Sequence, residues 1–308
     1  MSKPINYYLR FNGRSVYALK TSMDNTRPTK SQRLDQKVVE LLPGLSRAYA
    51  SRLIEEGKVT VDGVVSQRAG HKLRADSKVL VGYSLADVGR IPDIDIPVLY
   101  EDDDCVVINK PAGLLTHSKG AFNPEATVAS WLQPRLKDGL TGERAGIVHR
   151  LDRVTSGVMI CAKTPSAQQW LQKQFSTRRV KKTYYAVVSG QMPHEHAIID
   201  MPIMRNPKKP QMFRIGRTGK PATTEYWVRG NNKTCSLLEL RPTTGRTHQL
   251  RVHLLALGHP IVGDVLYDGL DADRLYLHAW QLELTLPNRQ RQSFSVPVPK
   301  AFQAMIKT

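Results

Sequence analysis

The stretch GIVHRLDRVTSG at residues 146–157, followed by VMICA at 158–162, is the most informative part of the chain. It places the acidic Asp152 between Arg150 and Arg153, in a chain with 27 Asp and Glu against 45 Lys and Arg. The Thr-Ser-Gly after it is typical of a turn, and the apolar run predicts a strand. A carboxylate ringed by cations at a sheet edge can act as a nucleophile or a base, although most such aspartates only pair with their arginines. From the spacing alone, both interpretations stay open.

The composition favours a nucleic-acid partner. The net charge is +18, and an excess of this size attracts phosphate backbones. The cations cluster in residues 1–34 and 173–220. Aromatic residues interleave with the second cluster, as stacking on unpaired bases requires: Phe175, Tyr184, Tyr185 and Phe213. A membrane partner is not expected, because neither a basic amphipathic helix nor a long apolar span is evident.

The cysteines and the N-terminus predict a cytoplasmic protein. The three cysteines are odd in number and far apart, which fits a reducing compartment and gives no zinc spacing. The N-terminus lacks the apolar core of a signal peptide, and a mitochondrial address is only weakly supported.

The chain of 308 residues predicts two domains. We expect a flexible basic arm at 1–30, a small α+β domain at 31–82, a linker at 83–97 and a larger domain at 98–308. In the small domain, Ser31 is expected to cap a first helix and Ser46 to start a second. Asp62-Gly63 then predicts a two-residue hairpin.

The larger domain has many predicted strands and few helices, without the alternation of a doubly wound sheet. This favours an α+β fold with a mixed, mostly antiparallel sheet. We expect a long exposed loop at 191–221, where prolines and cations are frequent. The other expected elements are strands at 98–100, 105–108, 158–162, 183–188, 222–229, 234–241 and 275–286, and helices at 164–175 and 247–258.

Several common catalytic machineries are absent from the sequence. It has no phosphate-binding glycine loop, no dinucleotide fingerprint and no nucleophile elbow. His194-Glu195-His196 lacks the helical spacing that brings two histidines onto one metal, so no metal site is expected. A hydrolase using Thr155 or Ser156 with His149 remains an alternative, but it lacks a third member and an oxyanion hole.

Four blocks of sequence, in order, resemble the RluA-type pseudouridine synthases. HRLD at 149–152 with TSG at 155–157 is similar to the catalytic motif of that family. NKPAG at 109–113, KKTYYAVVSG at 181–190 and TGRTHQLRVH at 244–253 are similar to its other blocks, and Gly263-Asp264 lies behind the last. Residues 31–82 are similar to the S-four-type RNA-binding domain of the ribosomal large-subunit members. The resemblance therefore implies a pseudouridine synthase fold preceded by a small α+β RNA-binding domain.

This resemblance implies isomerisation of uridine to pseudouridine in RNA by a monomer, without a metal or an organic cofactor. The expected target is large-subunit ribosomal RNA, with transfer RNA, or a non-catalytic role in ribosome assembly, as alternatives. Asp152 would act as nucleophile or base, Arg251 would be its ion-pair partner, and Tyr184 would stack on the flipped uracil. The residues expected to bind substrate or RNA are His149, Arg150, Arg246, His248, Lys110, Arg33, Arg47 and Arg52.

Overall fold

A computed structural model of the protein describes residues 32–42, 45–82, 93–117, 125–142 and 144–307, together with the backbone of two paired strands, β1 (Tyr7–Phe11) and β2 (Arg14–Ala18). The arm predicted at 1–30 contains this strand pair, and its other residues lie outside the described ones. The same holds for 83–92 of the predicted linker. The chain forms two compact units, residues 1–93 with 118–126, and residues 94–117 with 127–308.

The N-terminal unit contains the two predicted helices and a three-stranded sheet that includes the predicted hairpin. Ser46 caps the second helix by accepting a hydrogen bond from the Tyr49 amide. The first helix begins with Arg33 at its N-cap, so the predicted cap at Ser31 is wrong, and Ser31 itself lies outside the described residues. Asp62 and Gly63 have φ values of 52° and 86°, which confirms the tight hairpin. The elements are α1 (Leu34–Leu41), α2 (Arg47–Glu55), β3 (Val59–Val61), β4 (Val64–Val65) and β5 (Val79–Val81).

A nine-stranded sheet organises the described part of the second unit. Its strands are β6 (Val98–Glu101), β7 (Cys105–Lys110), β8 (Ser156–Ala162), β9 (Lys181–Ser189), β10 (His196–Asp200), β13 (Thr223–Asn231), β14 (Cys235–Pro242), β15 (Leu277–Thr285) and β16 (Arg291–Ser295). The order is β10-β13-β14-β9-β15-β8-β7-β6, with β16 paired to β15. Among these described strands only β8 and β15 run parallel, which confirms a mixed, mostly antiparallel sheet.

Helices and a short hairpin flank this sheet. The helices are α3 (Val128–Leu132), α4 (Pro165–Ser176), α5 (Gln249–Ala256) and α6 (Lys300–Lys307). The predicted loop at 191–221 is wrong in part, because it contains β10 and a hairpin of β11 (Ile203–Arg205) and β12 (Phe213–Ile215). Such short, proline-interrupted strands lack a readable alternation. Helix α5 begins two residues later than predicted, because His248 adopts a left-handed backbone with φ of 56°.

The parallel contact between β8 and β15 fixes the loop that carries Asp152. Gly157 pairs with Ala279, and a Cβ atom at Gly157 would lie 2.1 Å from the Ala279 carbonyl oxygen. Only glycine allows this approach, particularly at its φ of 119°. The strand therefore starts at a defined point, directly after the Asp152 loop.

Candidate active site

A cavity of about 550 Å³ opens where three segments of the second unit meet. The loop before β8 contributes Asp152, strand β9 contributes Lys182 and Tyr184, and the segment that enters α5 contributes His248 and Arg251. Three of the sequence blocks that are far apart along the chain thus line one space. The cavity is large enough for a nucleobase with its sugar.

Hydrogen bonds to its backbone carbonyls hold the Asp152 loop on both sides. The Thr116 hydroxyl donates to the Leu151 carbonyl at 2.8 Å, and the Gly113 amide donates to the Arg153 carbonyl at 2.8 Å. The Thr155 amide closes the turn onto the Asp152 carbonyl at 3.1 Å. The backbone of Asp152 is therefore fixed before any substrate arrives.

Arg251 is buried between two carboxylates. Its Nε and Nη2 atoms each donate to Asp264 at 2.7 Å, while Nη1 lies 3.5 Å from Oδ2 of Asp152. Burial by itself lowers the pKa of Arg251, but the Asp264 hydrogen bonds and the charges of Asp264 and Asp152 raise it above its ordinary value. The predicted ion pair with Asp152 is the longer of the two contacts, and Asp264 is the closer partner. The planar fork binds Asp264 in a bidentate manner, and only the remaining nitrogen faces Asp152.

Tyr184, and not Tyr185, faces the cavity. Successive side chains of a strand point to opposite faces, and Tyr185 instead packs edge-on against Trp280, with ring centroids 5.4 Å apart. Burial and then the charge of Asp152 raise the pKa of Tyr184 well above its usual range. The phenol is therefore neutral near physiological pH and presents an apolar ring with a proton donor.

Two residues expected to bind RNA are occupied inside the protein. The His149 ring stacks on Phe175 with centroids 4.4 Å apart, and its Nε2 accepts a hydrogen bond from the Ile160 amide at 3.1 Å. Burial lowers the pKa of His149 to about 3, so the ring is neutral. Although His149 lines the cavity wall, it offers no charge to a phosphate. His149 therefore meets a ligand only as a neutral ring, and its expected part in binding substrate or RNA stays a prediction.

Lys110 is fully buried and is the second such case. Its Nζ donates to the carbonyls of Pro111 and Leu114, both at 2.8 Å, and to that of Arg153 at 3.3 Å. Burial lowers the pKa of Lys110 to about 8. The expected RNA contact is wrong for Lys110, because an amine buried among carbonyls ties two loops together and does not reach solvent.

The remaining predicted residues of the second unit all line the cavity. Arg150 is exposed and lines the cavity. Arg246 also lines it, with its Nε donating to the Pro221 carbonyl at 3.0 Å. Nδ1 of His248 lies 2.8 Å from the Tyr267 hydroxyl, and its Nε2 lies 3.8 Å from Oδ2 of Asp152.

The N-terminal unit carries three predicted RNA-binding arginines, Arg33 and Arg47 at the starts of its helices and Arg52 in the last turn of α2. Arg33 and Arg47 both pair with the buried carboxylate of Asp35, at 3.0 and 2.7 Å. Arg52 pairs with Glu56 at 2.9 Å and with Glu125 at 3.3 Å. About half of each arginine side chain remains exposed. These guanidinium groups are accessible to a phosphate.

The sequence analysis did not predict Lys182 as a site residue, and it assigned no role to Asp264. Lys182 lines the cavity, and its Nζ donates to the Thr244 carbonyl at 2.8 Å. Burial lowers the pKa of Lys182 to about 8. The two-residue period of a strand could have found it, because it shares a face with Tyr184. The Gly263-Asp264 pair gave the only signal for Asp264.

Metal-binding clusters and membrane-spanning helices were both sought among the described residues. Among them, His, Cys, Asp and Glu side chains do not converge in threes as a metal ion would require. No helix among the described residues is sufficiently long and apolar to cross a membrane.

Comparisons with known proteins agree with this arrangement. A family model for RNA pseudouridylate synthases matches residues 104–256, and one for the S4 domain matches residues 32–79. Ribosomal large subunit pseudouridine synthase D of Escherichia coli (strain K12) is 35% identical over 295 residues, or 90% of each chain. The protein of the same name from Yersinia pestis is 38% identical over 84% of each chain.

A solved structure is similar as well. The human protein RNA Pseudouridylate Synthase Domain Containing 4 matches with a TM-score of 0.54 and 30% identity, covering 67% of this chain and 90% of the human chain. The α+β fold expected from the sequence is therefore confirmed.

Proposed function

The chain belongs to the RNA pseudouridylate synthase family, and we propose that it isomerises specific uridines of large-subunit ribosomal RNA, with Asp152 as the catalytic carboxylate. The chain is an RNA pseudouridine synthase with an S4 domain. The names of the two relatives above support the ribosomal target. The observation that carries the catalytic assignment is the side chain of Asp152 in the cavity, beside Arg251 and Tyr184.

The reaction breaks the bond between uracil N1 and C1′ of the ribose and forms a bond from uracil C5 to C1′. The uracil must therefore detach, turn and be held until it reattaches. A carboxylate can start this in either of two ways, by attacking C1′ or by removing the C2′ proton. In both routes C5 loses its proton at the end and N1, released from the sugar, gains one, so uridine and pseudouridine have the same composition. The bond between Asp152 and C1′ breaks again in the first route, and the C2′ proton returns in the second, so the carboxylate is regenerated. Asp152 is suited to either step.

Tyr184 and Arg251 support this step differently. The Tyr184 ring would offer a stacking surface for a flipped uracil, and its neutral hydroxyl would assist the transfer of a ring proton. Nη1 of Arg251 stabilises the negative charge of Asp152, while Asp264 holds the guanidinium in place. Enclosure in the cavity keeps water from trapping the sugar while the base is detached.

The surface cations bind the RNA in this proposal. Arg150 would fill the gap left by the flipped nucleotide, Arg246 would contact the backbone at the cavity, and Arg33, Arg47 and Arg52 would contact phosphates from the S4 domain. The proposed domains are the arm at 1–30, the S4 domain at 31–82, the linker at 83–97 and the catalytic domain at 98–308. We further propose that the protein acts in the cytoplasm as a monomer.

Mapping of pseudouridine in total RNA tests the target. Cells with the gene, cells without it and cells carrying Asp152→Asn should be compared. We expect a small set of large-subunit positions to lose pseudouridine in the last two. Loss confined to transfer RNA would overturn the target but keep the chemistry. Unchanged positions together with a defect in ribosome assembly would indicate a non-catalytic RNA-binding role.

A further inference from the structure

His248 has a backbone conformation that is uncommon outside glycine. Its φ of 56° is left-handed, a region that few non-glycine residues occupy, although histidine is enriched among them. Helix α5 begins at the next residue, so this turn decides where the His248 ring points as the chain enters the helix. A glycine or an asparagine would adopt this backbone with less strain. This backbone conformation therefore suggests that the imidazole itself has a role at this position.

Two aromatic rings enclose the His248 imidazole. Tyr267 and Phe213 pack edge-on against it, with ring centroids 5.6 and 5.5 Å away. Only 15% of the His248 side chain is exposed. The ring has little freedom to rotate, so its two nitrogens keep their separate partners.

The Tyr267 hydroxyl lies between the Phe213 amide and the His248 imidazole. This hydroxyl accepts a hydrogen bond from the Phe213 amide at 2.9 Å and lies 2.8 Å from Nδ1 of His248. If the phenol donates its one proton to Nδ1, that nitrogen is unprotonated. Nε2 then carries the hydrogen, and it is the nitrogen that faces Asp152. Burial lowers the pKa of His248, which favours this neutral form.

Both neighbours of the Asp152 carboxylate approach the same oxygen. Nε2 of His248 lies 3.8 Å from Oδ2, and Nη1 of Arg251 lies 3.5 Å from the same atom. Each distance is longer than a hydrogen bond, and each shortens if the carboxylate moves slightly when substrate fills the cavity. Because both nitrogens approach Oδ2, the second carboxylate oxygen of Asp152 remains available to the ribose.

We propose that His248 is a positioning residue that orients Asp152 through its Nε2–H group, and that Tyr267 sets the tautomer which makes this possible. This inference rests on the proposed role of Asp152. It differs from the expectation that His248 binds RNA, because a neutral, enclosed imidazole acts on the carboxylate and not on a phosphate.

Two substitutions separate the nitrogens of His248. In His248→Asn the side-chain oxygen can still accept from Tyr267 and the residue tolerates the left-handed backbone, but the donor to Asp152 is lost. In His248→Gln the longer amide reaches towards Asp152 and can replace that donor. His196→Asn is the matched control, since His196 is an exposed residue paired with Glu225.

Single-turnover rates and RNA dissociation constants test the proposal. We expect His248→Asn to lower the isomerisation rate by about 10- to 100-fold with RNA affinity within about twofold, because a slight misplacement of a reacting group has effects of this size. His248→Gln should recover part of the rate. An unchanged rate in His248→Asn would overturn the proposal, and so would a rate loss that disappears at saturating RNA.

Nitrogen NMR of the imidazole tests the tautomer without any substrate, and so independently of the proposed function. The His248 signals are assigned by their loss in His248→Asn. We expect a protonated Nε2 and an unprotonated Nδ1 at about pH 7, and a shift towards the other forms in Tyr267→Phe. A protonated Nδ1 in the wild-type protein would overturn the role of Tyr267.

Discussion

The cations of the N-terminal helices and those around Asp152 use their hydrogen-bond donors in opposite ways. Arg47 gives Asp35 one hydrogen bond from Nη2, and 55% of its side chain stays exposed. Arg251 is 6% exposed and directs all three of its side-chain nitrogens at two carboxylates. Lys110 donates to three backbone carbonyls and has no exposed surface.

This difference separates binding from catalysis in a basic protein. An exposed arginine with unused donors can exchange a carboxylate for a phosphate at little cost. A buried cation cannot, since removing its partner leaves a charge without compensation. Buried charges around Asp152 should therefore control the reaction and the stability, while exposed charges should control the affinity for RNA.

The largest expected effect is that of Asp152→Asn. The amide cannot attack the ribose or take its proton, so we expect single-turnover isomerisation to fall by at least about a thousandfold. RNA affinity should stay within a few-fold of wild type, because the exposed cations are unchanged. Asp138→Asn, at an exposed carboxylate, serves as the control. Substantial turnover by the Asp152 variant would remove this residue from the chemistry.

Arg251→Lys should have the next largest effect. Lysine keeps a charge beside Asp264 but loses the planar fork that also reaches Asp152. We expect the rate to fall by about 10- to 100-fold.

Arg251→Ala should also unfold more easily, by about 3–5 kcal/mol, because it leaves Asp264 buried and unpaired. Thermal melts and single-turnover rates should be measured together, with Arg291→Lys as an exposed control. A wild-type rate in Arg251→Lys would contradict the argument that this buried cation controls the reaction.

Local sequence signals predicted the parts of the fold that depend on neighbouring residues. Asp62-Gly63 gave the hairpin, and Thr164-Pro165 gave the start of α4, where Thr164 accepts from the Ala167 amide. The pairing of Arg251 with Asp264 could not be predicted in this way. The two residues are 13 positions apart and meet only because the loop after α5 folds back.

The burial of Lys110 could not be predicted from the sequence either. Lysine is rarely buried, and nothing in Asn109-Lys110-Pro111 distinguishes an amine that binds phosphate from one that ties loops. Tyr184 was predictable as part of a strand, but its orientation towards Asp152 depends on the register of β9 against β14 and β15. The sequence therefore predicted which residues lie at the site more reliably than it predicted the contacts of each residue.

Lys110→Met tests the burial argument directly, through stability. Loss of the amine should destabilise the protein by about 1–3 kcal/mol at neutral pH, with unchanged affinity for RNA. Since the pKa of Lys110 is about 8 when folded and its ordinary value is 10.5, the folded state loses this proton first as the pH rises. The unfolded state then binds more protons, so stability from this group increases with pH between these values.

Urea denaturation at several pH values measures this effect. The stability difference between wild type and Lys110→Met should widen from about pH 8 towards pH 10, because the variant lacks the titrating amine. The comparison cancels the contributions of other titrating groups. A loss of RNA affinity with unchanged stability would show instead that Lys110 contacts the RNA, and the division between buried and exposed cations would fail.

The smallest effect is expected for Arg47→Gln, on the exposed side of the comparison. Arg33 still neutralises Asp35 in this variant, so the free energy of unfolding should stay within about 0.5 kcal/mol of wild type. The loss of one phosphate contact should weaken RNA binding a few-fold and make the slope of log affinity against log salt shallower by about 0.7–0.9. The isomerisation rate at saturating RNA should not change, because Arg47 takes no part in the reaction. An unchanged salt slope would show that Arg47 makes no phosphate contact, and that exposure with unused donors is not sufficient to identify the RNA-binding cations of this unit.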